Sequence, residues 1–287
     1  MRRHRPRRSA LYVPGANERA LAKCVGLAAD AVILDLEDGV APAEKVAARR
    51  NVLATLEASG ARAERVVRVN GAGTPWGADD LAAVACGRAD AICLPKVEGP
   101  EAVRDAAKVL ERAGAPTGLE LWAMIETPRG ILAAPEIALA SPRLGCLVAG
   151  TSDLVKELHA RPSPGRPEVV TSLSLLLLAA RAAGLAALDG VFLDLKDAVG
   201  FEASCRQGRD MGFDGKTLIH PSQLEAANRI FAPTADELEL ARRIRAAHAQ
   251  AVAAGLGIAV VDGRLVEALH VAEAERILAL AEAIARA

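Results

Sequence analysis

The feature that most constrains the fold is a regular alternation of short apolar runs with helical stretches along the chain. Continuous apolar runs of this length are typical of strands that are buried on both faces. The stretches between them carry helical periodicity and helix-capping residues. We predict eight strands, at residues 10–13, 31–36, 65–70, 91–95, 121–125, 146–149, 190–195 and 217–220.

Eight strand-helix repeats predict an α/β fold, a parallel (β/α)8 TIM barrel with a C-terminal helical extension. A doubly wound open sheet is the rival architecture. The strand count and the lack of a GxGxxG sequence after the first strand favour the barrel. We expect a basic N-terminal tail at residues 1–8 that is solvated, the catalytic barrel at 9–232 and the helical extension or lid at 233–287.

Composition supports one large apolar core and excludes several classes of protein. The chain has 287 residues, of which 52% are hydrophobic and only 2% aromatic, so Ala, Leu, Val and Ile must fill the core. A net charge of −1 gives no reason to expect nucleic acid or a membrane surface as a partner. Five widely spaced cysteines without a CxxC pair lead us to expect a reducing, cytoplasmic location.

Polar residues follow the predicted strands at their carboxyl ends, where barrel enzymes carry their active sites. Glu126 and Asp153 follow two neighbouring strands, and two carboxylates that converge repel each other unless a divalent cation lies between them. Because neither segment contains His or Cys, the ligands would all be oxygen, which favours Mg²⁺ or Mn²⁺ over Zn²⁺. The alternative makes Asp153 a helix N-cap and Glu126 an ordinary charge on the barrel surface.

Arg68 lies within a predicted buried strand, because valines flank it on both sides. A buried arginine needs an anionic partner. A substrate carboxylate or carbonyl oxygen would serve, and so would Asp35 or Glu37 in a structural salt bridge. His220 also leaves two interpretations open, a catalytic base or the entry turn of a helix.

Seven segments, in this order, resemble the citrate lyase β-subunit-like (CitE-like) CoA ester lyases, within the HpcH/HpaI aldolase/citrate lyase family. Together they span nearly the whole chain. The segments are 8–15 (RSALYVPG), 35–42 (DLEDGVAP), 68–70 (RVN), 94–96 (LPK), 125–127 (IET), 150–153 (GTSD) and 212–223 (GFDGKTLIHPSQ).

The resemblance implies a barrel enzyme that holds Mg²⁺ on Glu126 and Asp153, with Arg68 binding the oxo group of a 2-oxo acid. It implies a carbon–carbon lyase. Such an enzyme cleaves a 3-hydroxyacyl-CoA thioester of the malyl-CoA or citramalyl-CoA type into acetyl-CoA or propionyl-CoA and a 2-oxo acid, or runs the reverse condensation.

The resemblance also implies where the CoA thioester would bind. Tyr12, Arg19, Lys23 and Lys45 would lie along its nucleotide end. The turn formed by Ile219 and His220 would border the thioester, and the substrate set would therefore be a CoA thioester together with a 2-oxo acid.

In homo-oligomeric members of the family, trimers or hexamers, the C-terminal extension closes over a neighbouring barrel. There it supplies a carboxylate, usually Asp, from a DGxxxD segment. This chain has Glu267 at that position, so the resemblance implies a longer carboxylate in the acid/base role.

Three other functions remain open at this point. The first is a citrate lyase β subunit that acts on citryl-acyl carrier protein with partner subunits. The second is an aldolase that acts on free acids and forms a pyruvate enolate. The third is a protein that binds CoA esters without turning them over.

Overall fold

The structure is a computed structural model that describes residues 5–57 and 62–286. The chain forms two compact units, one comprising Arg7–Arg229 and another that includes the chain from Ile230 onwards. The domain limits predicted above, 9–232 and 233–287, stay predictions, and positions 1–4 and 287 lie outside the described residues.

Within the described residues, eight parallel strands close into a barrel, each hydrogen-bonded to the next and the last to the first. The predicted (β/α)8 fold is therefore confirmed. The strands are β1 (Ser9–Pro14), β2 (Ala31–Asp35), β3 (Glu64–Arg68), β4 (Ala91–Leu94), β5 (Glu120–Ile125), β6 (Leu144–Ala149), β7 (Ala186–Asp189) and β8 (Gly215–Leu218).

Helices follow the strands in the order that the alternating pattern predicts. Short 3-10 turns at Pro42–Glu44 and Pro221–Gln223 lead into the second and the tenth helix. The helices are α1 (Glu18–Cys24), α2 (Lys45–Glu57), α3 (Gly77–Ala85), α4 (Pro100–Arg112), α5 (Pro128–Leu132), α6 (Ala134–Ala138), α7 (Thr151–Glu157), α8 (Pro167–Ala182), α9 (Ala198–Met211) and α10 (Leu224–Ile230).

The interior of the barrel is packed with aliphatic and small side chains, as the composition requires. Trp122 is the one aromatic side chain in this buried cluster, and the half-buried Tyr12 packs against it from β1. The strand residues between these inward positions face the helices, which follows from the two-residue period of a strand. The barrel is therefore a solid core with its chemistry at the strand ends.

The seventh strand corrects the sequence analysis. The apolar run at 190–195, predicted as this strand, is a loop in which Leu193 and Leu195 are exposed, and β7 precedes it. Gly184, at φ +65, ends the preceding helix, so the chain enters the sheet at once and the strand is over before the apolar run begins. Strand β8 likewise begins two residues earlier than predicted.

The N-terminal basic run provides a second correction, since the solvated tail predicted there is wrong for its last two residues. Arg7 is largely buried and forms ion pairs with Glu64 and Glu120, each at 2.7 Å. Arg8 pairs with Asp30, also at 2.7 Å. Acidic residues at the amino ends of the strands draw both arginines into the barrel wall, which hydropathy alone does not reveal.

The C-terminal unit contains α11 (Ala235–Ala253), a hairpin of β9 (Ala259–Val261) and β10 (Arg264–Val266), and α12 (Ala268–Arg286). The hairpin turns at Asp262 and Gly263, which have φ of 50° and 72°, as a tight hairpin turn requires. Strand β10 was not predicted. Across the described residues, no helix has the length and apolarity needed to span a bilayer.

Candidate active site

Several polar residues singled out in the sequence lie at the end of the barrel where the strands have their carboxyl ends. We call this end the mouth of the barrel. Arg68 is the last residue of β3 and Asp35 the last of β2. Glu126 follows β5 directly, and Asp153 lies in the first turn of α7, just after β6. Adjacent strands thus bring these side chains to one end of the barrel.

Arg68 is held in place by a two-point ion pair. Its Nε and Nη2 donate to the two carboxylate oxygens of Asp35 at 2.6 and 2.7 Å. Its guanidinium carbon lies 4.7 Å from the centre of the Tyr12 ring, and Nη1 lies 3.0 Å from Glu37 Oε2. Burial is the largest single influence and lowers the pKa of Arg68, but the hydrogen bond to Asp35 and the neighbouring negative charges together outweigh it. The net pKa therefore rises above the ordinary value.

The structural salt bridge considered for Arg68 is therefore present, and it does not use all of the N–H groups of the guanidinium. A guanidinium has five N–H groups, and Asp35 uses two of them. The remaining donors belong to Nη1 and Nη2. The contact with substrate implied by the resemblance stays a prediction, and the structure offers donors for it.

Asp35 is fixed by the acidic turn that follows it. Its carboxylate accepts the backbone N–H groups of Glu37 and Gly39, each at 2.9 Å. A Cβ at position 39 would lie 2.6 Å from Asp35 Oδ2, so the turn requires glycine there. The sequence DLEDG thus folds around its first carboxylate and presents it to Arg68.

Lys45 has a structural task in this turn. Its ammonium donates to the backbone oxygens of Leu36 and Glu37 at 2.8 and 2.7 Å, and the residue is only 6% exposed. The ammonium also lies 5.5 Å from the centre of the Trp76 ring. The contact with CoA that the resemblance implies for Lys45 has no support in these interactions, because the charged group is already surrounded by protein.

Glu126 is buried at the mouth and is only partly neutralised. Its Oε1 accepts the backbone N–H of Lys96 at 2.7 Å. A Cβ at position 150 would lie 2.3 Å from the Glu126 Cβ, so Gly150 leaves the room that this side chain occupies. Burial raises the pKa of Glu126 to about 7, with smaller contributions from the carboxylates of Glu37 and Asp153.

Asp153 is not the N-cap of its helix, so that alternative is wrong. The helix begins two residues earlier than Asp153, at Thr151, and Gly150 is its N-cap. Asp153 therefore lies in the first turn, half-buried, where the helix dipole favours a carboxylate. Its negative charge is one of the smaller contributions that raise the pKa of Glu126. The convergence of the two carboxylates on one cation stays a prediction.

The chemistry of this pair fits a hard divalent cation. A carboxylate whose pKa is raised by burial and by neighbouring carboxylates gains from a cation beside it. The described residues contain no cluster of three or more His, Cys, Asp or Glu arranged to bind a metal. An ion bound at Glu126 and Asp153 would therefore keep most of its positions for water and substrate oxygens, the arrangement Mg²⁺ usually has.

Lys96 is a site residue to which the sequence analysis gave no role. Its ammonium forms a short ion pair with Glu37 and lies 3.6 Å from Asp38 Oδ1. Its backbone N–H binds Glu126, and its φ of 49° places it in the left-handed region. Its position at the end of a predicted strand was the available signal, since the segment 94–96 was part of the resemblance.

The residues implied for the nucleotide end of CoA fall into two groups. Arg19 and Lys23 are exposed one helical turn apart on α1, where a phosphate could reach them. Tyr12 instead lies half-buried against Arg68, with its hydroxyl 4.0 Å from the sulfur of Met124. Contacts of all three with CoA stay predictions, and Tyr12 has a clear function in supporting the arginine.

Ile219 and His220 follow β8 at the mouth. His220 caps the next turn, since its Nδ1 accepts the N–H of Ser222 at 3.2 Å, so the entry-turn interpretation is correct. The buried Gln223, to which the sequence analysis gave no role, accepts the Ile219 N–H and donates to the oxygen of Phe192, each at 3.0 Å. It joins the loop after β7 to the turn after β8.

Glu267 lies in the C-terminal unit, directly after β10, and is exposed. Its N–H donates to His270 Nδ1 at 3.0 Å, and its carbonyl accepts the N–H of His270. The backbone of Glu267 therefore starts α12. The acid/base role that the resemblance implies for its carboxylate stays a prediction.

Comparison with known proteins agrees with this geometry. Residues 8–221 match the HpcH/HpaI aldolase/citrate lyase family. A (3S)-malyl-CoA thioesterase of Cereibacter sphaeroides is 53% identical, over 98% of this chain and 96% of the relative. A citrate lyase subunit beta of Escherichia coli is 39% identical, over 98% of this chain and 95% of the relative.

A solved structure extends the similarity to three dimensions. The CitE protein of Mycobacterium tuberculosis, crystallised with magnesium, acetoacetate and coenzyme A, superposes with a TM-score of 0.78. It is 35% identical, and the match covers 96% of this chain and 97% of that one. By fold, by the segments at the mouth and by these matches, the chain belongs to the HpcH/HpaI aldolase/citrate lyase family.

Proposed function

We propose that this protein is a Mg²⁺-dependent carbon–carbon lyase acting on a 3-hydroxyacyl-CoA thioester of the malyl-CoA type. The products would be acetyl-CoA or propionyl-CoA and a 2-oxo acid, and the reverse condensation uses the same groups. The observation that carries the proposal is the arrangement of Glu126, Asp153 and the anchored Arg68 around one barrel mouth.

Glu126 and Asp153 would hold the cation. Mg²⁺, or Mn²⁺ in its place, supplies a Lewis acid to the carboxylate and the adjacent oxygen of the substrate when it is bound. The two side chains are suited to this because burial has already removed Glu126 from bulk water and Gly150 keeps its position open. Magnesium in the related CitE crystal supports the assignment.

Arg68 would stabilise the substrate oxygen that changes charge. Cleavage converts the hydroxyl of a malyl group into the carbonyl of glyoxylate, so negative charge develops on that oxygen as its proton leaves. The N–H groups of Arg68 that Asp35 does not bind are fixed in direction by Asp35 and by the Tyr12 ring, so they need no reorganisation during the reaction. The resulting thioester enolate then takes a proton on carbon.

Arg19 and Lys23 are the groups we propose for the phosphates of CoA, because both are exposed cations on one helix. Ile219 and His220 would border the thioester. In a homo-oligomer, a trimer or hexamer, Glu267 of the extension would act as the proton-transfer group of a neighbouring site. A Glu267→Gln variant that keeps full turnover would remove it from that role.

Hydrolysis of the thioester is a second candidate, and one observation favours it. A relative with 53% identity is named a (3S)-malyl-CoA thioesterase. The two reactions share the malyl-CoA substrate but break different bonds. The lyase breaks the bond between carbons and releases acetyl-CoA and glyoxylate, whereas hydrolysis consumes water, breaks the bond between carbon and sulfur and releases malate and free CoA.

The test is to incubate the protein with (3S)-malyl-CoA and Mg²⁺ and to identify all products by chromatography. Glu126→Gln and Asp153→Asn are the variants, and Glu136→Gln, an exposed carboxylate on α6, is the matched control. We expect both site variants to lose on the order of 10³-fold in turnover, since they remove a metal ligand. The control should match the wild type.

Acetyl-CoA and glyoxylate as products would support the lyase. Malate and free CoA would replace it with the hydrolase, and full activity of both site variants would refute the metal assignment. Cleavage of a 4-hydroxy-2-oxo acid without CoA, which releases pyruvate through its enolate, would favour the free-acid aldolase. Binding of malyl-CoA without any product would favour the non-catalytic alternative. Reaction only with citryl-acyl carrier protein would favour a citrate lyase β subunit.

A further inference from the structure

Lys96 lies between two sets of carboxylates at the mouth. One set is tied to Arg68 and includes Glu37, and the other consists of Glu126 and Asp153. The ammonium of Lys96 pairs with Glu37, while its backbone N–H donates to Glu126 Oε1 at 2.7 Å. One residue thus contacts both sets through different groups.

The backbone of Lys96 is held in an uncommon conformation. Its φ of 49° lies in the left-handed region, which side chains other than glycine seldom adopt. Such residues persist where the surrounding contacts hold them, and they are common at functional sites. Here the contacts are the N–H bond to Glu126 and the ion pair with Glu37. This conformation is the one in which both are made.

Glu37 is the carboxylate that Lys96 pairs with while its backbone binds Glu126. It is buried, and no hydrogen-bond donor in the part of the chain that the structure describes reaches its Oε2. That oxygen lies 3.0 Å from Arg68 Nη1 in an ion pair without hydrogen-bond geometry. The charge of Glu37 also contributes more to the raised pKa of Glu126 than the charge of Asp153 does. A third carboxylate is thus linked to Glu126 through Lys96, although the three are not arranged as a metal cluster in the described residues.

We propose that Lys96 is a positioning residue that holds Glu37 away from the cation, so that Glu126 and Asp153 remain its only protein carboxylates. The inference rests on the proposed function. A six-coordinate Mg²⁺ with two protein ligands keeps positions for substrate oxygens, whereas a third carboxylate would occupy one of them. Lys96 therefore keeps the site open to substrate at the expense of metal affinity.

This role predicts two effects of opposite sign. Without the ammonium, Glu37 turns towards the cation, and one positive charge is also lost near it. Mg²⁺ then binds more tightly, while the substrate binds more weakly because its position is taken. A residue that merely supports the fold of the mouth would weaken both when it is replaced.

The experiment compares Lys96→Met and Lys96→Gly with the wild type. Methionine keeps the cost of the left-handed backbone, and glycine removes it, so the pair separates charge from strain. Lys108→Met, an exposed lysine on α4 paired with Asp105, is the control. Mg²⁺ is titrated by calorimetry, KM for malyl-CoA is measured at saturating Mg²⁺, and thermal unfolding checks that each variant is folded.

In both Lys96 variants we expect Mg²⁺ to bind on the order of tenfold more tightly and KM to rise by a similar factor. A second background, Glu37→Gln, tests the route, because there only the loss of one positive charge remains and the Lys96 substitutions should raise Mg²⁺ affinity by no more than about twofold. Unchanged or weaker Mg²⁺ binding in folded Lys96 variants would overturn the inference, as would an equal effect without Glu37. A wild type that binds no Mg²⁺ would overturn the proposed function as well.

Discussion

Each end of the barrel carries an arginine that is stacked on an aromatic ring and paired with two carboxylates. At the amino ends of the strands, Arg7 lies 4.8 Å from the Trp122 ring centre and pairs with Glu64 and Glu120. At the mouth, Arg68 takes the same arrangement over Tyr12, with Asp35 and Glu37. The difference between the ends lies in what surrounds each arginine.

The same parallel extends to the spacing along β5 and β6. A Cβ at Gly145, near the start of β6, would lie 2.0 Å from an oxygen of Glu120. A Cβ at Gly150, just past the end of β6, would meet Glu126 in the same way. One strand thus makes room for a glutamate at both of its ends.

At the amino ends of the strands, the charged side chains bind one another in ion pairs. Arg7 donates to Glu64 through Nε and Nη2. Its Nη2 also donates to Glu120, and its Nη1 donates to the Gly145 carbonyl. At the mouth, Glu126 and Asp153 are added to the group around Arg68, and burial raises the pKa of Glu126 to about 7. A similar motif therefore forms a structural ion-pair cluster at the amino ends, which we call the plug, and part of the proposed binding site at the mouth.

The largest expected effect separates the two arginines by activity. Arg68→Lys keeps the charge and loses the planar fork that Asp35 orients, so kcat/KM should fall about 10³-fold. Arg7→Lys should leave the activity of the folded enzyme within about twofold of the wild type, because it lies at the opposite end of the barrel. Steady-state kinetics with malyl-CoA provide the measurement. Equal losses in both variants would contradict the division of roles.

The two ends of the barrel differ in how much of their structure the sequence predicts. The alternating pattern predicted the barrel, and strand ends carrying Asp35, Arg68, Glu126 and Asp153 predicted the mouth. Both are local signals. The plug joins Arg7 to Glu64 and Glu120, which are 57 and 113 positions further along the chain. A local sequence pattern does not predict contacts over such separations. Arg7 was therefore assigned to a solvated tail.

The misplaced seventh strand has a related cause. Hydropathy marks residues that avoid water, and Leu193 and Leu195 are apolar although they are exposed in a loop. The role of Lys96 was hidden for another reason, because it depends on a left-handed φ and on its peptide N–H. Neither follows from residue type.

The second prediction concerns stability, and here the larger effect is expected at Arg7. Arg7→Met leaves Glu64 and Glu120 close together without the arginine between them, and breaking a buried pair is costly. We expect the free energy of unfolding to fall by about 3 kcal/mol. Urea denaturation followed by circular dichroism measures it. Kinetics of the remaining folded enzyme should be normal, and a variant as stable as the wild type would show that Arg7 is no plug.

The third prediction uses the glycines at the two ends of β6, Gly145 and Gly150. Gly150→Ala pushes Glu126 from its position, so turnover should fall about 10²-fold, as small displacements at a reacting centre do. Gly145→Ala displaces Glu120 and should lower the unfolding temperature without lowering turnover per folded molecule. Both are measured on the same preparations by thermal unfolding and by initial rates. Loss of turnover in Gly145→Ala alone would invert the assignment of the two ends.

The smallest expected effect tests the aromatic rings. Tyr12→Leu removes the face on which the Arg68 guanidinium lies, and a cation–π contact of about 1 kcal/mol predicts a loss of roughly fivefold in kcat/KM. Tyr12→Phe keeps that face and removes a hydroxyl that makes a weak contact with the Met124 sulfur at 4.0 Å, so it should retain most activity. If Tyr12→Phe instead lost as much as Tyr12→Leu, the hydroxyl would touch substrate, and the ring would no longer be the counterpart of Trp122.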